Sequence, residues 1–138
     1  MYKITREIEF CYGHRLLNYD GKCRHLHGHN GRAIIQLAGP TLDDRGMLVD
    51  FGEIKRKVQR WIDENIDHTM LLCRDDPLLP VLRERGERVF EMAGNPTAEN
   101  IARLIYDKTV EAGLPVLEVV LWETENCCAS YRGEGHAS

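Results

Sequence analysis

Long apolar runs are missing from this sequence. No stretch of its 138 residues approaches the roughly 20 consecutive apolar positions that a membrane span needs. The segment Met1 to Phe10 carries Arg6, Glu7 and Glu9, so it is not expected to serve as the apolar core of a signal peptide. A surplus of positive charge is missing as well: 18 Lys plus Arg stand against 22 Asp plus Glu, a net charge of −4. Without a basic face, neither a nucleic acid nor a membrane surface is an expected partner. The five cysteines (Cys11, Cys23, Cys73, Cys127 and Cys128) are odd in number and include no Cys-x-x-Cys pair. That argues against a disulfide framework and leads to the expectation of a reducing, cytoplasmic compartment. No internal repeat, low-complexity tract or linker divides the chain, so residues 1–138 are expected to form one domain, with a loose tail from Gly133.

What is present is 43% hydrophobic and 29% charged, enough apolar surface to fold. From Tyr2 to Cys11, Ile4, Ile8 and Phe10 alternate with Thr5, Glu7 and Glu9, the period of a half-buried strand. Residues Arg32 to Ala38 predict a second strand that stops at the turn signal Gly39-Pro40. Asp50 opens a helix, with Glu53 placed for a capping box and Ile54, Val58, Trp61, Ile62 and Ile66 forming one stripe. The stretch 70–86 is ambiguous, with a helical turn expected at Leu82 to Arg85, and Arg88 to Met92 predicts a short strand. A second helix is expected from the Asn95-Pro96-Thr97 region to Gly113. Strands are expected at Val116 to Thr124 and at Ala129 to Arg132. An α+β fold follows, an antiparallel sheet with both helices on one face. Its free edges could be closed by oligomerisation.

Four of the six histidines, His14, His25, His27 and His29, fall within 16 residues. On a strand, His27 and His29 point to one face, and His14 ends the strand alongside. Three neutral imidazoles leave one position of a tetrahedral Zn²⁺ open, the catalytic rather than the structural arrangement. By strand parity His25 is a rival third ligand, and all four are open to a plainer reading as polar turn residues. Cys23 sits between Lys22 and Arg24, where positive neighbours favour a thiolate. The plainer reading, a small buried hydrophobe, suits its polar surroundings poorly. Within 14–32, Arg15, Lys22, Arg24 and Arg32 face Asp20 alone, a local surplus suited to a phosphate ester. Asp67-His68 can form an acid–base pair, or simply a helix-end histidine. Glu123 closes an apolar strand and offers two coplanar acceptors to the N–H edge of a pterin or guanine ring, unless it is only a strand-end carboxylate. Cys11, Cys73, Cys127 and Cys128 are read as packing residues.

Taken together, six elements in register resemble one family: His14-Arg15-Leu16, the run Cys23-x-x-x-His27-Gly28-His29, Val49-Asp50-Phe51, Asp67-His68, residues 95–100 (NPTAEN) and Trp122-Glu123-Thr124. The chain resembles the 6-pyruvoyl-tetrahydropterin synthase and 6-carboxy-tetrahydropterin synthase family over about 130 residues, from the first strand to Tyr131. The resemblance implies the tunnelling fold: a four-stranded antiparallel sheet with two helices packed on one face, oligomerising into a barrel. It also implies a homo-hexamer, a dimer of trimers, with active sites at subunit interfaces. By position, His14, His27 and His29 would bind zinc. Cys23 would be the catalytic thiolate, with Asp67 and His68 as its partners from a neighbouring subunit. Glu123 would anchor the pterin ring, and Thr97 would line the same pocket. The implied substrate is 7,8-dihydroneopterin triphosphate. Elimination of triphosphate alone gives the 6-pyruvoyl product, whereas loss of acetaldehyde as well gives the 6-carboxy product of the queuosine route. The spacing of Cys23 before His-Gly-His resembles the carboxy-forming branch. A non-catalytic zinc- or pterin-binding member of the same fold is the alternative, although such a module would need none of Cys23, Asp67 and His68.

Overall fold

A computed structural model describes residues 1–133, and the expected tail beyond Gly133 lies outside the described residues. Two long strands form the spine. Strand β1 (Tyr2–His14) pairs antiparallel with β2 (His27–Gly39), in a register running from Tyr2 opposite Gly39 to His14 opposite His27. Ile8, Phe10 and Tyr12 of β1 and Ala33, Ile35 and Leu37 of β2 turn to one face and are buried. Glu7, Glu9 and Arg32 occupy the other face, the alternation of a sheet covered on one side.

That covered face is packed by helix α1 (51–65) and helix α3 (Ala98–Glu111). Ile54, Val58, Ile62 and Ile66 recur every fourth residue and are all at most 1% exposed. A four-residue step overshoots the 3.6-residue turn by about 40°. The helix takes up this drift by widening into a π turn at Lys55–Gln59, between α-helical Phe51–Ile54 and Arg60–Asn65. Asp50 caps α1 by accepting from the Gly52 N–H at 2.8 Å. Glu53 pairs with Arg56 and Lys57 instead of closing the expected capping box.

Strands β3 (Thr69–Cys73), β4 (Val89–Met92), β5 (Val116–Trp122) and β6 (Cys128–Tyr131) complete the sheet in the order β4-β3-β1-β2-β5-β6, with the short helix α2 (Leu78–Glu84) crossing between β3 and β4. Among the described residues the sheet therefore has six strands and three helices, not the four strands and two helices expected. Nor is it wholly antiparallel, since β3 runs parallel to both β1 and β4. The reason lies in Thr69–Cys73, whose residues are almost all buried. A strand covered on both faces shows no period-two pattern. The histidine segment also differs from expectation: β1 runs on to His14 and β2 starts at His27, so three of the clustered histidines lie on strands.

Candidate active site

The alternation that buries Ile8 and Phe10 continues into chemistry at the strand ends. Tyr12 stands opposite His29 and His14 opposite His27, all on the core face. One nitrogen from each of His14, His27 and His29 lies within 4.8 Å of the others, and this trio is the group among the described residues able to hold a metal ion. Two of the imidazoles are oriented by backbone carbonyls. His14 Nδ1 meets the Pro96 carbonyl at 2.6 Å, and His27 Nδ1 meets the His25 carbonyl at 2.7 Å. Carbonyls accept, so both Nδ1 atoms carry hydrogen and each Nε2 is left with its lone pair. His14 Nε2 and His29 Nε2 are 3.2 Å apart, while His27 Nε2 is buried with no hydrogen-bond partner. An orphaned buried nitrogen beside two others is costly unless a ligand takes it, so these residues fit a nitrogen-bound metal. Burial holds His14 and His29 below the ordinary imidazole range, against the pull of Glu123. The neutral, ligating form is thereby favoured.

His25 does not join them. The strand begins only at His27, so strand parity does not reach residue 25, which ends a 3₁₀ turn (Lys22–Arg24) with its side chain exposed and 3.3 Å from Arg24 Nε. Its contribution is the carbonyl that orients His27.

Residues 95–100 hold the neighbouring loop and His14 in place through both side chains and backbone. The Asn95 amide clamps Leu17, accepting from its N–H at 2.8 Å and donating to its carbonyl at 3.0 Å. Pro96 supplies the carbonyl for His14. Thr97 caps α3, its hydroxyl accepting from the Asn100 N–H at 3.2 Å.

Glu123 follows directly on β5 and leans toward the imidazoles. Its Oε1 accepts from the Tyr12 hydroxyl at 3.1 Å and lies 3.5 Å from His14 Nε2 and 3.7 Å from His29 Nε2. Oε2 is used in none of these contacts. Burial, reinforced by the Glu123 carboxylate, pushes the Tyr12 phenol far above its ordinary value, so it remains a donor. Gly31 makes room for this tyrosine: a Cβ there would sit 2.9 Å from the ring. Tyr12 was not among the expected site residues, although the Ile8-Phe10-Tyr12 parity reaches it once β1 is extended.

Asp67 and His68 form a second station. Asp67 Oδ2 meets His68 Nδ1 at 2.9 Å, and Asp67 Oδ1 accepts from the Cys11 N–H at 2.9 Å. Partial burial opposes ionisation of Asp67, but the Cys11 N–H and His68 outweigh it and hold the carboxyl below its usual range. His68 donates its N–H to the Cys11 carbonyl and has φ of 54°, a left-handed conformation that non-glycine residues seldom adopt. Asp67 and His68 share a cleft of about 780 Å³ with His29, Glu123, Arg32 and Trp122.

Cys23 lies in the 3₁₀ turn, half-buried, and lines neither this cleft nor the adjoining one of about 560 Å³ beside His27 and His68. Within one chain, then, His29, Glu123 and Asp67-His68 line one cleft, His27 and His68 line the adjoining one, and Cys23 stands apart. Among the other cysteines, Cys73 is buried and Cys11 half-buried, but Cys127 and Cys128 are exposed. A packing role fails for these two because Cys127 precedes and Cys128 opens the edge strand β6, both exposed.

Comparison with known proteins agrees with this geometry. The family model for 6-pyruvoyl tetrahydropterin synthase matches residues 3–134. A 6-carboxy-5,6,7,8-tetrahydropterin synthase of Rickettsia conorii is 40% identical over 134 residues, covering 92% of this chain and 97% of its own. One of the same description from Aquifex aeolicus is 32% identical over 161 residues, covering 96% and 99%. Among solved structures, an uncharacterized protein from Wolinella succinogenes aligns with a TM-score of 0.79 at 30% identity, over 96% of this chain and 98% of its own. The 6-pyruvoyl tetrahydropterin synthase of Caenorhabditis elegans, at 22% identity and a TM-score of 0.73 over 96% of each chain, shares the fold. With nearly its whole length matched, the chain belongs to the 6-pyruvoyl tetrahydropterin synthase family.

Proposed function

We propose that this protein is a zinc-dependent lyase that converts 7,8-dihydroneopterin triphosphate and one water to 6-carboxy-5,6,7,8-tetrahydropterin, releasing acetaldehyde and triphosphate. The observation that carries the reading is the convergence of three imidazole nitrogens, one of them buried and unpartnered, beside the Glu123 carboxylate. The choice of product leans on the relatives described as 6-carboxy synthases and on the spacing of Cys23 before His27. All five cysteines are free, as a reducing cytoplasm would keep them.

His14, His27 and His29 would hold the zinc, which when bound supplies Lewis acidity to the hydroxyls of the substrate side chain. Glu123 would accept from the N–H edge of the pterin ring, with Tyr12 steadying Oε1. Asp67 fixes His68 through Nδ1, leaving Nε2 to exchange a proton with a side-chain hydroxyl. Cys23, as thiolate, would move a proton at the carbon next to the ring. Because Cys23 lies apart from Asp67-His68 in a single chain, the complete set is proposed to form between subunits of a hexamer. Thr97, which caps α3 one residue after the Pro96 carbonyl, would border the same pocket.

The test is incubation of the purified protein with dihydroneopterin triphosphate and identification of the product by mass, with acetaldehyde assayed separately. The 6-carboxy product with acetaldehyde is expected. A 6-pyruvoyl product without acetaldehyde would reassign the branch, and pterin binding without turnover would make the chain a binding module.

A further inference from the structure

Nine residues separate His14 from the 3₁₀ turn's end at Arg24, and that loop carries Cys23. Three consecutive residues of it are tied from three directions. Arg15 forms a two-pronged ion pair with Asp76, Nε to Oδ2 at 2.8 Å and the second nitrogen to Oδ1 at 2.5 Å. The Leu16 N–H donates to the Cys23 carbonyl at 2.8 Å, and Leu17 is clamped by Asn95. Asp76 has a fully buried side chain and stands at the start of α2, where it also accepts from the Leu78 N–H at 2.8 Å. A buried carboxylate on the β3–α2–β4 excursion is an expensive way to cap a seven-residue helix. Its geometry makes better sense as an anchor reaching across the sheet to the loop.

We propose that Asp76 is a positioning residue: by gripping Arg15 it fixes the Leu16–Cys23 contact, and so the place of the Cys23 thiol relative to the histidine cluster. The kinetic part of this inference rests on the function proposed above; the thiol part does not. Arg15 has only one other way to be satisfied, which is solvent, since its side chain is 24% exposed. Once Arg15 is released, His14 stays paired to β3 and Leu17 stays clamped by Asn95, but the Leu16–Cys23 contact between them loses its tie to α2.

The experiment compares Asp76→Asn, which keeps the oxygen that caps Leu78, with the double variant Arg15→Met/Asp76→Asn, which leaves no orphaned guanidinium. Alkylation by iodoacetamide is followed peptide by peptide, with exposed Cys127 as the internal reference. Both variants are expected to keep their metal while Cys23 reacts several-fold faster relative to Cys127. Turnover of dihydroneopterin triphosphate is expected to fall about tenfold or more, with KM changed little, as small misplacement of a reacting group predicts. An unchanged Cys23 rate in the folded double variant overturns the proposal. So does loss of fold in both variants, which would make the pair purely structural, and so does full recovery of turnover in the double variant. Should the wild-type protein fail to turn over this substrate, the functional reading falls, while the alkylation result still decides the role of Asp76.

Discussion

The histidine cluster meets the cleft of the Asp67-His68 pair through His29, and the two groups are held by opposite means. His14 is 2% exposed, lies on a long central strand and takes its orientation from a backbone carbonyl. His68 has a side chain 75% exposed, sits at a junction between α1 and β3, and takes its orientation from a carboxylate next to it in sequence. The first arrangement fixes tautomer and direction before any ligand arrives. The second keeps an imidazole in contact with water, at the cost of a left-handed backbone of order 1–3 kcal/mol that β1 compensates through two hydrogen bonds at Cys11. On the proposed function, the imidazoles that would bind an ion are buried or half-buried, and the imidazole that would exchange protons is open to water.

Removing an imidazole from the buried half should have the largest effect. His27→Ala is expected to abolish metal loading, measured by elemental analysis, and with it all turnover, whereas His25→Ala should remain loaded. The reverse result would reassign the ligands. A change in the open half should spare the metal: His68→Ala is expected to retain about one zinc per chain and to lose roughly two orders of magnitude in turnover, as when a positioned proton-transfer group is deleted. Cys23→Ala should behave alike, and because both act on one substrate, the double loss should fall short of the product of the two.

Glu123 borders both halves. Glu123→Gln replaces an acceptor with a donor and should weaken pterin binding by about 1.5–3 kcal/mol in a titration, the range for a hydrogen bond to a charged group. Normal affinity would leave it as a partner of Tyr12 alone.

The smallest effect concerns pH. Burial lowers the folded-state values of His14 and His29 below the unfolded value of 6.5. The unfolded chain therefore binds more protons below about pH 6.5. Metal-free protein should lose thermal stability as the pH falls from 7 toward 5, and His14→Gln should flatten that slope. A metal-free melting temperature independent of pH in this window would contradict the buried, neutral assignment.

Much of this was legible along the chain because the determining patterns are local. The alternation Ile4 to Phe10 and the stripe from Ile54 to Ile66 each reflect burial on one side only, which leaves a period in the residues. His27-Gly28-His29 could be placed on one face for the same reason. Strand β3 was hidden because Leu71, Leu72 and Cys73 are covered on both sides. His25 was misplaced because a parity argument is valid only within a strand, and the strand starts two residues later. Asp76, Asn95 and the Pro96 carbonyl were invisible for another reason: their partners lie 61, 78 and 82 residues away, and nothing in a single sequence marks such pairs. The contrast between β1–β2 and the β3–β4 edge is the same contrast in sequence form.

The register of β1 on β2 has one more consequence. Side chains alternate with a period of two, so sliding one strand by a single residue would send its whole inward set to the opposite face. His14 and its neighbours at 27 and 29 come from both strands, and three nitrogens meet only when Tyr12 stands opposite His29. A misaligned hairpin, even one with every backbone hydrogen bond made, would carry a split donor set. An ion that binds all three would therefore favour one alignment among the shifted alternatives, acting during folding as a proofreader of strand pairing.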